Sequence, residues 1–204
     1  MRKAMRNRAL LIAALLMGAA PAAALGPSLD AVIRADDVAR LAQLDPIAGR
    51  TLRDALAQGS ADDRAVLVAG LSGAALSDDQ AAAILPGDWS CRMLKLGGGL
   101  ALVVYQPFQC RIDADGSLVK LTGSQRMTGR IGPVGCRLTY LGTGHVAGDT
   151  PLPYEALPPQ TDPAASPQLV PEAGLVEVTG RNAARILMPA PVLESDLNIL
   201  LLSR

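Results

Sequence analysis

Residues 86–112 read PGDWSCRMLKLGGGLALVVYQPFQCRI and hold the chain's single tryptophan and two of its three cysteines. Side chains on a β-strand alternate between faces. Trp89, Cys91 and Met93 therefore share one face of a first strand, and Leu102, Val104, Phe108, Cys110 and Ile112 share one face of a second. Gly97-Gly98-Gly99 is a turn signal between them. A hairpin centred near residue 98 brings Cys91 and Cys110 within a residue or two of opposition, both on the apolar face. Pro107 interrupts the second strand, and proline in a strand sits at bulges or edges, so a bulge there would correct the register. The stretch thus opens a β-domain and its chemistry is structural. The preferred pairing is a Cys91–Cys110 disulfide beneath Trp89, with Phe108 in the same core. Cys110–Cys136, Cys91–Cys136 and three free thiols stay open as alternatives. A bridge closing a loop of this size stabilises by roughly 3 kcal/mol in the chain-entropy model.

The β pattern continues downstream. Strands are expected over 88–96, 100–112, 117–125, 126–131, 136–146, 174–179, 183–189 and 195–203. They are punctuated by Asp113-Ala114-Asp115-Gly116, Gly132-Pro133 and Gly180-Arg181-Asn182. Residues 147–171 carry Pro151, Pro153, Pro158, Pro159, Pro163, Pro167 and Pro171. Such a segment is expected to form no ladder and to run as an extended surface loop. About eight short strands with tight connections predict a closed antiparallel barrel, or failing that a sandwich.

Upstream, the periodicity is helical. LDAVIRADDVARLAQL (29–44) repeats apolar residues at Val32, Ile33, Val38, Leu41 and Leu44. Asp45-Pro46 reads as an N-cap before a first-turn proline, and Gly59 as that helix's end. Ser60 opens a further helix, and Ser77 opens another with Gln80 completing a capping box. The fold class is therefore α+β: short helices over 25–85 packed on an antiparallel barrel over 86–204, with a proline-rich loop at 147–171.

Residues 1–24 are expected to be a cleaved secretory signal. Arg2, Lys3, Arg6 and Arg8 form a basic start, Leu10–Ala20 an apolar run, and Pro21–Ala24 a small-residue cleavage site, with cutting after Ala24 or, second, Ala22. The run is shorter than the ~20 residues that span a bilayer, so an integral membrane protein is not expected. Paired arginines and a following cysteine are absent, which argues against twin-arginine export and lipoprotein anchoring. The periplasm, or secretion, is the expected location, and there a disulfide is the default for such cysteines. Of 19 basic and 19 acidic residues, four basic ones lie in the signal, leaving 15 against 19, or −4. An acidic domain with 2% aromatic residues lacks the basic grooves and stacking rings of nucleic-acid binders.

LGTGHVAGDT (141–150) is the stretch closest to a reactive motif. Gly142-x-Gly144-x-x-Ala147 loosely matches a dinucleotide fingerprint, but that motif requires a helix next and a proline-rich loop follows. His145 is the only histidine. With no cysteine pair at ligand spacing it makes a zinc site improbable, so no metal or cofactor is expected. Cys136 and His145 fall on opposite faces of one strand, which speaks against a dyad. Asp149 or Tyr154 could orient the imidazole, as could a serine or threonine. Tyr105, Arg111, Arg126, Tyr140 and Arg185 read as solvent-face residues. Lys95 is the exception, sharing the face of Trp89 and Cys91, where it snorkels to the rim or binds an anion. His145, Lys95, Tyr140 and Asp149 are the candidate ligand contacts at the barrel mouth.

Four stretches, LPGDWSCRMLKLGG, YQPFQCRI, LTGSQRMTGRI and YLGTGHVAGD, resemble an exported alphaproteobacterial domain-of-unknown-function family, DUF4893. The likeness runs from about residue 28 to the C-terminus. It falls on Trp89, Cys91, Arg92, Cys110, Arg111 and Ile112, and on Gly142, Gly144, His145 and Val146. Cys136 lies outside its pattern, which makes it the expected unpaired thiol. The resemblance implies no activity, catalytic residue or cofactor. Gly87-x-Trp89 also resembles the first strand of lipocalin-type barrels, by analogy alone. The reading that follows is a non-catalytic periplasmic binding or inhibitory barrel, for a small apolar or amphipathic ligand or a partner protein. A hydrolase centred on His145 and a structural envelope protein are the alternatives.

Overall fold

The computed structural model describes residues 25–162 and 164–204, and the expected signal peptide lies outside them. Strand β1 (Gly87–Gly97) turns through glycine into β2 (Leu100–Val104), and β3 (Phe108–Ile112) follows. Both return strands lie along one edge of β1: Leu94 faces Val104 on β2, and Cys91 faces Phe108 on β3. Between those pairs β1 advances three residues and the return chain four, so the extra residue lies at 105–107, beside Pro107. The expected single strand is thus two strands with an interruption. The other edge of β1 pairs with β9 (Leu197–Ser203).

The remaining strands are β4 (Ser117–Lys120), β5 (Gln125–Val134), β6 (Arg137–Val146), β7 (Val170–Gly180) and β8 (Ala183–Pro189). Neighbours pair antiparallel from β3 round to β9 and back to β1, which closes an eight-stranded barrel with β2 as an extra strand. Two proline boundaries differ from expectation. Gly132 and Pro133 pair within β5, and the turn falls later, at Gly135-Cys136. Pro171 lies inside β7, opposite Thr143, so the proline-rich connection ends at residue 169. Proline lacks only the N–H, and both carbonyls are used: Pro133 O accepts from Leu29 N at 2.8 Å and Pro171 O from Arg40 at 3.3 Å.

Alternation along β1 sends Trp89, Cys91 and Met93 into one core with Ile112, Leu118, Ile131, Val178, Ile186 and Leu202. Trp89 faces Cys110 across the ladder and Cys91 faces Phe108. The Cys91–Cys110 disulfide therefore joins diagonal neighbours, 5.8 Å apart at Cα. Phe108 is partly buried against the same core, and Cys136 is free and exposed. Helix α4 (Asp78–Ile84) seals this end. The Trp89 indole N–H donates to Leu85 O at 2.8 Å. The Arg204 guanidinium lies 3.8 Å from the indole centroid and donates to the carbonyls of Pro86 and Ile84.

Helices α2 (Leu44–Gln58) and α3 (Ala61–Leu71) cover the outside of β1 and β9, packing Leu44, Ile47, Ala55 and Leu67 on Leu94, Leu96, Leu197 and Ile199. The expected caps form at Gly59, at Ser60, whose Oγ accepts from Asp63 N at 3.1 Å, and at Ser77, whose N–H donates to Gln80 at 3.3 Å. Pro46 lies in the first turn of α2 as expected, but Asp45 lies inside that turn instead of capping it, because Gln43 is the N-cap. Helix α1 covers only Ala35–Ala42, and Val38 is exposed while Asp37 is buried. The reason is polar: Asp37 accepts from Arg40 and from the Tyr154 hydroxyl. Arg185 is likewise covered, since it pairs with Glu177 at 2.5 Å and donates to Gly70 O, Ser72 O and Gly73 O where α3 ends. Among the described residues no helix is long and apolar enough to cross a membrane.

Candidate functional site

At the end of the barrel opposite Trp89, a cavity of about 280 Å³ remains. Met93, Met127, Met188, Val170 and Ala173 supply apolar wall. Against them stand polar side chains carried by the same alternation that fills the rest of the interior. On β1, Lys95 follows Met93 inward and is 8% exposed. On β4, Lys120 follows Leu118 and is 4% exposed. On β7, Glu172 precedes Val176 and Val178 on one face, and on β9 Asn198 precedes Leu200. A filled barrel would put branched aliphatics in these places.

Lys95 pairs with Glu194, donates to Gln125 Oε1 at 3.2 Å, and has Tyr105 within cation–π reach at 5.6 Å. Glu194 belongs to the β8–β9 loop, whose residues 191–194 line the cavity. That loop is seated on the triple-glycine turn: a Cβ on Gly98, at φ 72°, would lie 1.9 Å from Glu194 O. Lys120 holds its own loop, donating to Thr122 O at 3.0 Å and Gln125 O at 2.5 Å with Phe108 3.7 Å away. Burial lowers the pKa of its ammonium to about 8, helped by the Arg126 charge.

Glu172 accepts from the Tyr140 hydroxyl at 3.3 Å. Burial raises its carboxyl to about 7, against the Tyr140 hydrogen bond and the charges of Lys120, Arg40 and Lys95. Tyr140 is fully buried inside the barrel, not on the solvent face, and burial raises its pKa well above the ordinary value. The glycines of LGTGHV are explained here. A Cβ on Gly142 would sit 2.1 Å from the Tyr140 hydroxyl, and one on Gly144 2.8 Å from Glu172 Oε1. The motif is the bed on which phenol and carboxylate lie.

Of the four candidate contacts, Lys95 and His145 line the cavity and Tyr140 reaches it through Glu172, whereas Asp149 is outside the lining. His145 Nε2 lies 3.2 Å from Thr128 Oγ1 and Nδ1 3.2 Å from Val146 O. Neither Asp149 nor Tyr154 orients it. The Asp149 N–H donates to Val146 O, and Tyr154 serves Asp37 from the loop packed outside β6 and β7. Among the described residues no three His, Cys, Asp or Glu side chains cluster as metal ligands. Lys120 and Glu172 were not singled out from sequence. The available signal was parity, Lys120 with Leu118 and Glu172 with Val176 and Val178.

Residues 30–202 match the sequence profile of the family described as Domain of unknown function (DUF4893). The chain belongs to the DUF4893 family. None of the curated proteins matches it. A DUF4893 segment amounting to 56% of this chain is similar to 24% of the isotype 1 transferrin binding protein B from serogroup B Neisseria meningitidis, at 8% identity and a TM-score of 0.28. In this DUF4893 barrel, Trp89, Cys91, Cys110 and Ile112 build the sealed end, Gly144 lines the cavity, and Gly142 makes room for the Tyr140 hydroxyl. Arg111 pairs with Asp88 at 2.8 Å on the surface.

Proposed function

We propose that this DUF4893 domain is an exported, non-catalytic binding module that acts in the periplasm and holds a small amphipathic ligand in the open end of its barrel. The carrying observation is the change in the interior at that end, where Lys95, Lys120, Glu172 and Asn198 replace aliphatic side chains around unfilled space. Burying ionisable groups costs stability, so their concentration in one cavity is more readily understood as a site than as packing. In this reading Lys95 and His145 touch the ligand, Tyr140 acts through Glu172, and Asp149 stands at the rim. The methionines supply a wall that adapts to an apolar body.

Native mass spectrometry of the protein taken from its own cell envelope tests the reading, and a retained small molecule is expected. Recovery of bare polypeptide, together with an unchanged melting temperature across a panel of small amphiphiles, would remove it.

A further inference from the structure

Two ionisable groups in the cavity, the buried Lys120 and the half-buried Glu172, are left without a counter-charge. Lys95 is matched by Glu194 and Arg40 by Asp37. Among the described residues, neither Lys120 nor Glu172 has an oppositely charged side chain within 4.0 Å, although both line the same space. Arg126 also lines it, and its Nε is buried with no hydrogen-bond partner. The unmatched set is two cations against one carboxyl, and once that carboxyl holds a proton both cations are unbalanced. An anion entering beside Lys120 would offset the excess, and a protonated Glu172 would donate to it instead of repelling it.

Resting on the binding-module reading, we propose that the ligand carries one carboxylate on a small apolar body, that the carboxylate lies between the Lys120 ammonium and the Glu172 carboxyl, and that its entry is coupled to a proton on Glu172. The methionine wall takes the apolar body. A dianion such as a phosphate monoester would set two charges against this single carboxyl. A cationic ligand would face Lys120, Lys95 and Arg126.

Burial already raises the Glu172 carboxyl to about 7, and an arriving anion raises it further. Affinity should therefore fall as pH rises. The other groups facing the cavity are Lys95 from β1, Lys120 from β4, Arg126 from β5, and Tyr140 and His145 from β6. Tyr105 just after β2, Glu194 of the β8–β9 loop and Arg40 of α1 complete the set. Lys120, lowered to about 8, loses half its charge by pH 8, and both it and His145 need their own controls.

The test is calorimetric titration of the folded, oxidised protein with hexanoate, hexanamide and hexylammonium at pH 6 and pH 8. Hexanoate should bind best, losing about twentyfold in affinity between pH 6 and 8, about tenfold for the Glu172 proton held near 7 and about twofold for the Lys120 proton held near 8. Repeating the pH 8 titration in two buffers of different ionisation enthalpy should show more than one proton taken up with each hexanoate. Glu172→Gln should keep only the loss of about twofold, and His145→Gln should keep the full slope. Lys120→Met should bind none at either pH. Because Lys120 also holds its loop, the proton uptake of the unaltered protein stands as the independent measurement. Hexanamide or hexylammonium binding as tightly as hexanoate, a flat pH profile, or a slope lost with His145 would each overturn the proposal, as would no binding of hexanoate at pH 6. Native mass spectrometry separates the two levels. A retained ligand without an acidic group sinks this inference and leaves the binding module standing, whereas no retained ligand and no probe bound sinks both.

Discussion

On β1, Trp89 and Lys95 point into the same barrel from the same face, and the two ends they mark are built on different rules. Around Trp89 the core is apolar and disulfide-bonded, α4 covers the opening, and the Arg204 guanidinium lies on the indole. Around Lys95 charged side chains stand among the inward methionines, space is left, and a loop is strapped across by an ion pair. The sealed end can hold the barrel together, which frees the open end to carry groups that cost stability. If that division is right, substitutions at the two ends should differ in sign as well as in size.

The largest effect should come from Trp89→Ala. The indole is 2% exposed and packs on the disulfide, so its loss leaves a cavity and an unpaired Leu85 carbonyl. A destabilisation of about 4 kcal/mol is expected, read as a lower denaturant midpoint. A change below about 1 kcal/mol would mean that the sealed end is not where stability resides. Next comes the disulfide. Cys91→Ala with Cys110→Ala should cost about 3 kcal/mol, whereas Cys136→Ala, which removes an exposed free thiol, should fall within about 0.5 kcal/mol of the parent.

How far each end could be read beforehand follows from the same alternation. Parity needs a strand with known bounds. On β1 the run from Gly87 is unbroken, so Trp89, Cys91 and Lys95 fell on one face and the disulfide followed, with Pro107 absorbing the register error. Glu172 was hidden because Pro171 argued against a ladder, and β7 was expected to begin at Gly174 instead of Val170. Nothing local to Pro171 announces that its carbonyl would be taken by Arg40, more than a hundred residues away in the chain. Tyr140 was assigned to solvent by the usual two-faced logic of antiparallel sheets. That logic fails on β6, because the long loop packs Tyr154 and Leu157 over the outer face at Leu141. The glycines at 142 and 144 were visible, but their use depends on a phenol from the same strand and a carboxylate from the next.

At the open end the expected sign reverses. The Glu172 carboxyl is raised from 4.5 to about 7, so the folded chain holds a proton that the unfolded chain has released. Stability is then full below about pH 4.5 and declines as pH rises through about 7. Glu172→Gln removes that decline. It should match the parent closely at pH 4.5 and exceed it by about 3 kcal/mol at pH 7.5, seen as a flatter plot of melting temperature against pH. An equal slope in both proteins would place the pH dependence elsewhere. Measurements should stop below pH 8, since Lys120, lowered to about 8, contributes in the opposite direction above that value.

The smallest effect tests whether the seal is cooperative or merely apolar. Arg204 covers one face of Trp89 and donates to the carbonyls of Ile84 and Pro86, tying the last residue of the chain to the end of α4. The carbonyls at a helix C-terminus lack intrahelical donors, and a guanidinium there satisfies them and opposes the dipole. Its contacts are solvent-accessible at the edge, so Arg204→Ala should cost only about 1 kcal/mol. The informative quantity is the double-mutant cycle with Trp89→Ala. If the guanidinium works by clamping the indole under α4, the two losses should fall short of additivity by about 0.5 kcal/mol or more. Full additivity would mean that Arg204 caps the helix independently, and that the indole needs no cover from the chain's end to seal the barrel.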